Sequence, residues 1–341
     1  MMKETTSGRR PAPRDLLVVF VTCTFAALWL GEASIAQAQS SWQPLSTMPE
    51  ARFGAASAVV DETLYLFGGY GSGVKSSNHV WAFDPAKDQW RRLQDMPSSI
   101  THMNAVVDGR TVWIAGGFKD GYPGTAIDEV WKYDVDEDFF VAAPSLPGPR
   151  AGGGLALVGR SLHYIGGLMK DRDTDSADHW VLDLDATGDS VEWKSAAAMP
   201  APRNQFATVT YTGKIYVLGG QFHHDSTSGK PPLDQARVDI YDPATDSWSP
   251  GPELPLPHSH AEGSTFVHDG RIFMIGGRSV NNVEAAAWVL STVGEWSPLG
   301  ELPGPSLGPA ARIIDGRLVV AGGASSGLEP EATVWAQTMN R

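Results

Sequence analysis

Cysteine is almost missing from this chain: among 341 residues only Cys23 carries a thiol, which excludes intramolecular disulfides and thiolate zinc clusters. Basic residues are scarce as well. Twenty-six Lys and Arg stand against 39 Asp and Glu, a formal charge of −13. No basic stripe gathers the cations, so a nucleic-acid binder working by phosphate neutralisation is excluded. Charged residues make up only 19% of the chain, too few for a coiled coil or a solvent-laced helical bundle. What is plentiful is turn-forming and aromatic: 37 Gly, 24 Pro and 12 Trp, within 42% hydrophobic residues. That apolar content argues for a packed core instead of a disordered chain. The length fits two average domains or one large all-β or α/β unit, and decides nothing alone.

One apolar run stands out, the fifteen residues Leu16 to Leu30. Lys3, Arg9, Arg10 and Arg14 precede it and Ala36-Gln37-Ala38 follows, the layout of a secretory signal peptide. The run is shorter than the ~20 residues that span a bilayer, so the expectation is a cleaved signal over residues 1–38, a periplasmic or secreted product, and no stable membrane span after cleavage. Cleavage removes Cys23 and leaves 22 basic against 36 acidic residues, a net charge of −14.

Beyond the leader the sequence repeats. A Gly-Gly doublet ends a short apolar run six times, at Gly68-Gly69, Gly116-Gly117, Gly166-Gly167, Gly219-Gly220, Gly276-Gly277 and Gly322-Gly323, with spacings of 48, 50, 53, 57 and 46 residues. Periods of this length signal a repeat architecture. Each run reads as a buried strand, and a tight turn joins it to an earlier apolar stretch: Asp61-Glu62, Asp108-Gly109, Gly159-Arg160, Thr212-Gly213, Asp269-Gly270 and Asp315-Gly316. Such dipeptides are hairpin signals because two-residue turns between twisted strands need positive φ. An aromatic strand such as Val80-Trp81-Ala82-Phe83 follows each doublet after a polar loop, and a last strand carries Trp90, Phe139 or Phe140, Trp193, Trp248 or Trp296. Each unit is expected to be a four-stranded antiparallel sheet.

These features resemble the kelch repeat: the doublets, the aromatic strand, Tyr241-Asp242-Pro243-Ala244-Thr245-Asp246-Ser247-Trp248, and the Met-Pro or Leu-Pro that opens the next unit. The resemblance covers residues 42 to about 338 and implies an all-β fold, a six-bladed kelch β-propeller over residues 39–341. The sixth unit ends without its own last strand, and Trp42-Gln43-Pro44-Leu45 at the other end supplies one, so the ring is expected to close through the N-terminal strand.

In such a unit the loop after the doublet and the loop between units emerge on one face. Arg52, Arg150 and Arg203 occupy one register there, with Asn204 beside the last. They suit a carboxylate, phosphate or acidic peptide, or simply cap carbonyls of the neighbouring unit, the reading favoured here. His102, His179, His223, His224, His258 and His260 fall in or beside the same loops, with Asp225 and Glu262 adjacent. His258, His260 and Glu262, alternating in an extended segment, would share one side. Imidazoles and carboxylates so gathered suit a divalent metal, for which His102, His223, His258 and His260 are candidates, or acid–base work near neutral pH. The loop aromatics Tyr70, Phe118, Tyr122 and Phe222 are candidate stacking platforms. Asp171, Asp173, Asp175 and Asp178 alternate as calcium ligands do, but Ser176 and Leu182 break the EF-hand pattern, which favours a solvated acidic loop. No HExxH, Walker or GxSxG motif occurs, and Gly69-Tyr70-Gly71-Ser72-Gly73 opens no helix.

Fold does not fix function. The resemblance extends to copper radical oxidases, whose site needs a cysteine that the mature chain lacks, and, in architecture, to exported sialic-acid mutarotases. The first expectation is a monomeric module binding a small molecule, a glycan or an exported protein; the second is a carbohydrate mutarotase, epimerase or other His-dependent enzyme. A purely structural role ranks third.

Overall fold

The computed structural model describes residues 42–224, 229–280, 282–325 and 328–339. The expected signal peptide, residues 1–38, and Asp225 lie outside the described residues. Secondary structure is almost wholly β, with 3₁₀ turns at Ser72–Val74, Gly188–Ser190 and Glu262–Ser264. No helix among the described residues is long and apolar enough to cross a membrane.

Among the described residues six four-stranded antiparallel sheets follow one another along the chain. Their first strands are Ala56–Val60, Asn104–Asp108, Gly154–Val158, Ala207–Tyr211, Thr265–His268 and Ala310–Ile314. Each pairs only with the second strand of its own sheet and lies beside the first strand of the next, and the first of the series also touches the sixth. This is a β-propeller, with first strands innermost. The sixth sheet takes its outermost strand from the other end of the chain: Gln43–Pro44 pairs with Val334–Thr338, Gln43 opposite Ala336.

The turns explain the register. Asp61 and Glu62 (φ 46° and 59°), Thr212 and Gly213 (50° and 76°), Asp269 and Gly270 (45° and 67°), and Asp315 and Gly316 (48° and 66°) all have both central residues left-handed, the type I′ signature that matches strand twist. The second sheet departs from expectation. Asp108 is still paired, opposite Thr111, so the turn is Gly109-Arg110. With only Gly109 left-handed, at 61°, it takes the form with Gly at the first central position, as Gly159-Arg160 does in the third sheet.

Core clusters lie between neighbouring sheets, for example Val60, Tyr65, Phe67, Val112, Ile114 and Tyr133 between the first and second. The outer-strand tryptophans latch each sheet to the segment before it: Trp90 Nε1 donates to Ser46 O at 3.0 Å, Trp193 to Pro144 O at 2.8 Å, Trp248 to Ala197 O at 2.8 Å and Trp296 to Pro252 O at 3.1 Å. Trp42 makes the equivalent bond to Glu301 O at 2.9 Å. An indole N–H packed at a seam needs an acceptor, and the repeat supplies one at five of the six seams. The second sheet, with Phe140 at this place, forgoes the bond.

Candidate functional site: a ring of left-handed residues at the central mouth

Six residues in equivalent places, Gly54, His102, Gly152, Gln205, His260 and Gly308, have φ between 52° and 61°. They encircle the upper mouth of the propeller, the face where the loops before the first strands emerge. Backbone hydrogen bonds link them around the axis: Gly54 N to Gly308 O (2.9 Å), Gly308 N to His260 O (3.1 Å), His260 N to Gln205 O (3.2 Å), Gln205 N to Gly152 O (2.8 Å) and Gly152 N to His102 O (2.9 Å). At the remaining seam Thr101 Oγ1 approaches Gly54 O at 3.5 Å. A left-handed backbone is natural for glycine and costs other residues on the order of 1 kcal/mol. Half of this ring nevertheless carries side chains, and non-glycine strain concentrated in this way marks functional positions.

Those three side chains, His102, Gln205 and His260, line one small cavity of about 40 Å³ together with Phe53, Met103, Glu262 and Leu307. Space on this scale suits a few waters or one inserted ligand group, not a whole sugar ring. Its apolar wall, Phe53 and Leu307, belongs to a cluster with Tyr70 and Ala324. The opposite wall is polar. Glu262 heads the 3₁₀ turn Glu262–Ser264. Its carboxyl is pushed up to about 7 by burial, only partly opposed by a backbone hydrogen bond and the Arg278 charge. Its Oε1, like Nε2 of Gln205, is buried without a hydrogen-bond partner. Buried polar atoms are almost always paired, so two orphans in one cavity, one donor and one acceptor, mark it as polar space that water or an inserted group can satisfy.

The imidazoles form an arc. The His102 and His224 ring centroids lie 5.6 Å apart, and those of His224 and His260 6.2 Å. Gln221 Nε2 meets His224 Nδ1 at 3.0 Å and Ser259 Oγ meets His260 Nδ1 at 2.8 Å. Burial, aided by Arg172 and Arg278, takes His224 down to about 3. Burial followed by Arg278 and the neighbouring histidines holds His260 well below its usual value. Both are neutral at physiological pH. Arg278, the residue after the fifth doublet, is fixed by Asp234, Nη2 to Oδ1 at 2.8 Å, and reaches Gln221 Oε1.

Other expected site residues are placed differently. His258 and His260 do not share a side: the left-handed turn at His260 breaks the extended segment, and His258, 2% exposed, bonds the Gly276 carbonyl. His179 begins the strand His179–Asp183 and is buried, with His163 Nδ1 at 2.9 Å and the Tyr241 ring at 4.4 Å, so it is a core residue. The His223 N–H donates to Asp175 Oδ2 at 3.0 Å, and its side chain is not among those lining the cavity. Among the described residues no three His, Cys, Asp or Glu side chains converge as ligands, so His102, His223, His258 and His260 do not assemble the expected metal centre.

The three arginines are each held by a carboxylate of the protein. Arg52 pairs with Glu50 and bonds Ser77, Arg150 pairs with Asp178 beneath Trp180, and Arg203, fully buried, meets Asp239 Oδ2 at 2.8 Å and Gly219 O at 2.7 Å. Asn204 supports the mouth from beneath through Asp175, at 2.6 Å, and Gln221. The acidic loop of the third unit spends its carboxylates separately. Asp171 accepts from the backbone N–H of Asp173 and Thr174, Asp175 serves Asn204 and His223, and Asp178 serves Arg150. Tyr70 and Phe118 are buried, Phe222 is half-buried, and only Tyr122 is exposed.

Gln205 and Arg278 escaped the sequence reading, although a signal exists. The ring residue stands fourteen positions before the doublet in five units and sixteen before it in the fifth. That two-residue insertion creates the 3₁₀ turn that delivers Glu262.

Innermost first strands, glycine-doublet loops and a ringed mouth define a kelch-type β-propeller. A family model described as the Attractin/LZTR1 beta-propeller matches residues 33–285, and the chain belongs to this kelch-repeat propeller family. It is similar to a kelch repeat-containing protein of Arabidopsis thaliana, 25% identical over 290 residues that cover 80% of this chain and 68% of the relative. The kelch-like protein terF of Aspergillus terreus is 28% identical over 70% of this chain and 52% of its own length, and kelch-like protein 26 of Danio rerio 27% over 70% and 38%. The chain therefore spans about two thirds of the first and about half or less of the other two. Among solved structures, that of YjhT superposes with a TM-score of 0.69 at 16% identity, covering 87% of this chain and 97% of that one, a likeness of fold.

Proposed function

We propose that this chain is an exported binding module that recognises a hydroxylated small molecule or glycan end at the ringed mouth. One observation carries the reading: the unpartnered Gln205 Nε2 donor and Glu262 Oε1 acceptor line one cavity beside His102 and His260. A ligand hydroxyl accepts from one and donates to the other. Leu307 and Phe53 offer the apolar surface that sugar C–H groups prefer. The framework of this reading is a six-bladed disc closed by the N-terminal strand, supported by the Gln43–Ala336 pairing and the Trp42 latch. Export and cleavage after Ala38 are part of the same proposal, tested by the N-terminal sequence of the exported form. Titration calorimetry of the mature protein against a panel of mono- and oligosaccharides tests the binding. Gln205→Ala or Glu262→Ala should weaken a hit about 10-fold or more, the worth of a good hydrogen bond at a buried site. A panel without binders, or affinities that ignore both changes, rejects the proposal.

A second reading rests on Glu262 alone. A carboxyl poised near pH 7 beside neutral imidazoles is suited to move a proton at a bound sugar, as mutarotation or epimerisation requires. Acceleration of anomer exchange that vanishes in Glu262→Gln would favour this reading over binding alone.

A further inference from the structure

At the opposite end of the axis from the mouth lies a separate channel of about 420 Å³, walled by the first strands of all six sheets. Its lining includes Ser57, Val106, Leu157, Thr210, Phe266 and Arg312, and no carboxylate. The turn carrying Glu262 separates the two spaces, with the Gly263 carbonyl accepting from Ser57 Oγ at 2.8 Å and Arg312 Nη1 at 2.7 Å.

Arg312 is out of pattern. Equivalent places in other first strands hold Ala58, Val106, Ala156 and Val209. Its guanidinium bonds only carbonyls, of Gly263, Ala311 (2.7 Å) and Ser57 (3.0 Å), and has no carboxylate partner among the described residues. Removal from water without a counter-charge lowers it to about 10. These three bonds leave Nε–H and one Nη2–H without an acceptor among the described residues. The side chain is half-buried, lies over the Phe266 ring at 5.6 Å and has no anionic partner among the described residues, and a cation so placed is completed most favourably by an anion. The innermost strands also have no neighbour on their channel side, which adds backbone N–H donors along the wall.

We infer that the inner end of this channel binds a small monovalent anion of the carboxylate class, held by Arg312. Paired N–H groups of one guanidinium match a carboxylate's two oxygens. The surroundings set the size and charge. Asp61, Asp108, Asp269 and Asp315 stand in or at the hairpin turns of this end, with Arg110 spanning Asp61 and Asp136, and Arg160 spanning Asp108 and Asp185. Such a rim repels polyanions and admits a single charge more readily.

The test uses the mature protein and two probes. Crystals soaked in sodium iodide should show an anomalous peak within hydrogen-bonding reach of the Arg312 guanidinium, inside the channel. Sodium acetate, titrated at constant ionic strength, should raise the melting temperature of the wild type, and this rise should vanish in Arg312→Gln and be retained in part by Arg312→Lys. Iodide absent from Arg312, or an acetate response equal in wild type and Arg312→Gln, overturns the inference. Should Arg312→Gln fail to fold, the wild-type iodide map decides by itself. Failure of sugar binding at the mouth leaves this outcome untouched, because the two spaces are separate.

Discussion

Replacing Glu262 by Gln should stabilise the protein at pH 8 and leave it almost unchanged at pH 4. In the folded state burial lifts the Glu262 carboxyl from 4.5 to about 7. The folded protein therefore holds a proton between pH 4.5 and 7 that the unfolded chain has already released. The stability attached to the protonated group is fully present below 4.5 and lost as pH rises through 7. A displacement of this size corresponds to about 3 kcal/mol at 1.36 kcal/mol per pH unit. Water reaches part of the side chain, so roughly 2–3 kcal/mol is expected. Glutamine keeps the shape and cannot ionise, so it escapes the loss. For a chain of this length that means a melting point about 3–5 °C above wild type at pH 8, read by urea or thermal denaturation at several pH values. Histidines titrating in the same window cancel in the difference between the two proteins. Parallel curves for wild type and Glu262→Gln between pH 4 and 8 would refute the claim that burial holds this carboxyl protonated.

Gln205→Gly should melt at or slightly above wild type, by about 1 kcal/mol, because it relieves a left-handed φ and removes an orphaned amide; a large loss would show that the side chain holds the ring together. Acid should destabilise the fold through the His163–His179 pair, held by burial at about 3 and 4, His163 also by its neighbour's charge. Their folded values lie below 6.5, so stability falls as pH drops from about 7 toward 4; a melting temperature flat over that range contradicts this. Deleting residues 39–47 should cost several kcal/mol, roughly 5–10 °C in melting temperature, since it removes the Gln43–Ala336 pairing, the Trp42 latch and the Leu45 N–H bond to Val334 O. An unchanged melt would sink closure by the N-terminal strand. Arg203→Met should cost about 1–3 kcal/mol, since it removes the buried bonds to Asp239 and the Gly219 carbonyl while Arg237 still neutralises Asp239, with unfolding midpoint as the readout.

Much of this architecture is legible in the residues, and for local reasons. A two-residue turn accepts few sequences, so Asp269-Gly270 and Asp315-Gly316 reveal their hairpins. Each Gly-Gly doublet marks a crossing where a Cβ would meet a neighbouring carbonyl, as one at Gly68 would meet Ile100 O. The repeated tryptophans announce their own seams. The histidines were less readable. His179 and His102 both sit near loop boundaries, yet one is packed under Tyr241 and the other faces the mouth, because side-chain direction there depends on where the strand begins and on a left-handed φ.

The sequence by itself determined the repeat and the strand order within each sheet, since both follow from contacts within a unit or across one seam. Tertiary structure alone decided the site. Gln205, Glu262 and Arg278 stand far apart along the chain and meet only because the sheets are wound around one axis. Arg312 likewise becomes an uncompensated cation only when five other strands surround it. Pairing within a strand is written locally, whereas burial without a partner is a property of the assembled ring.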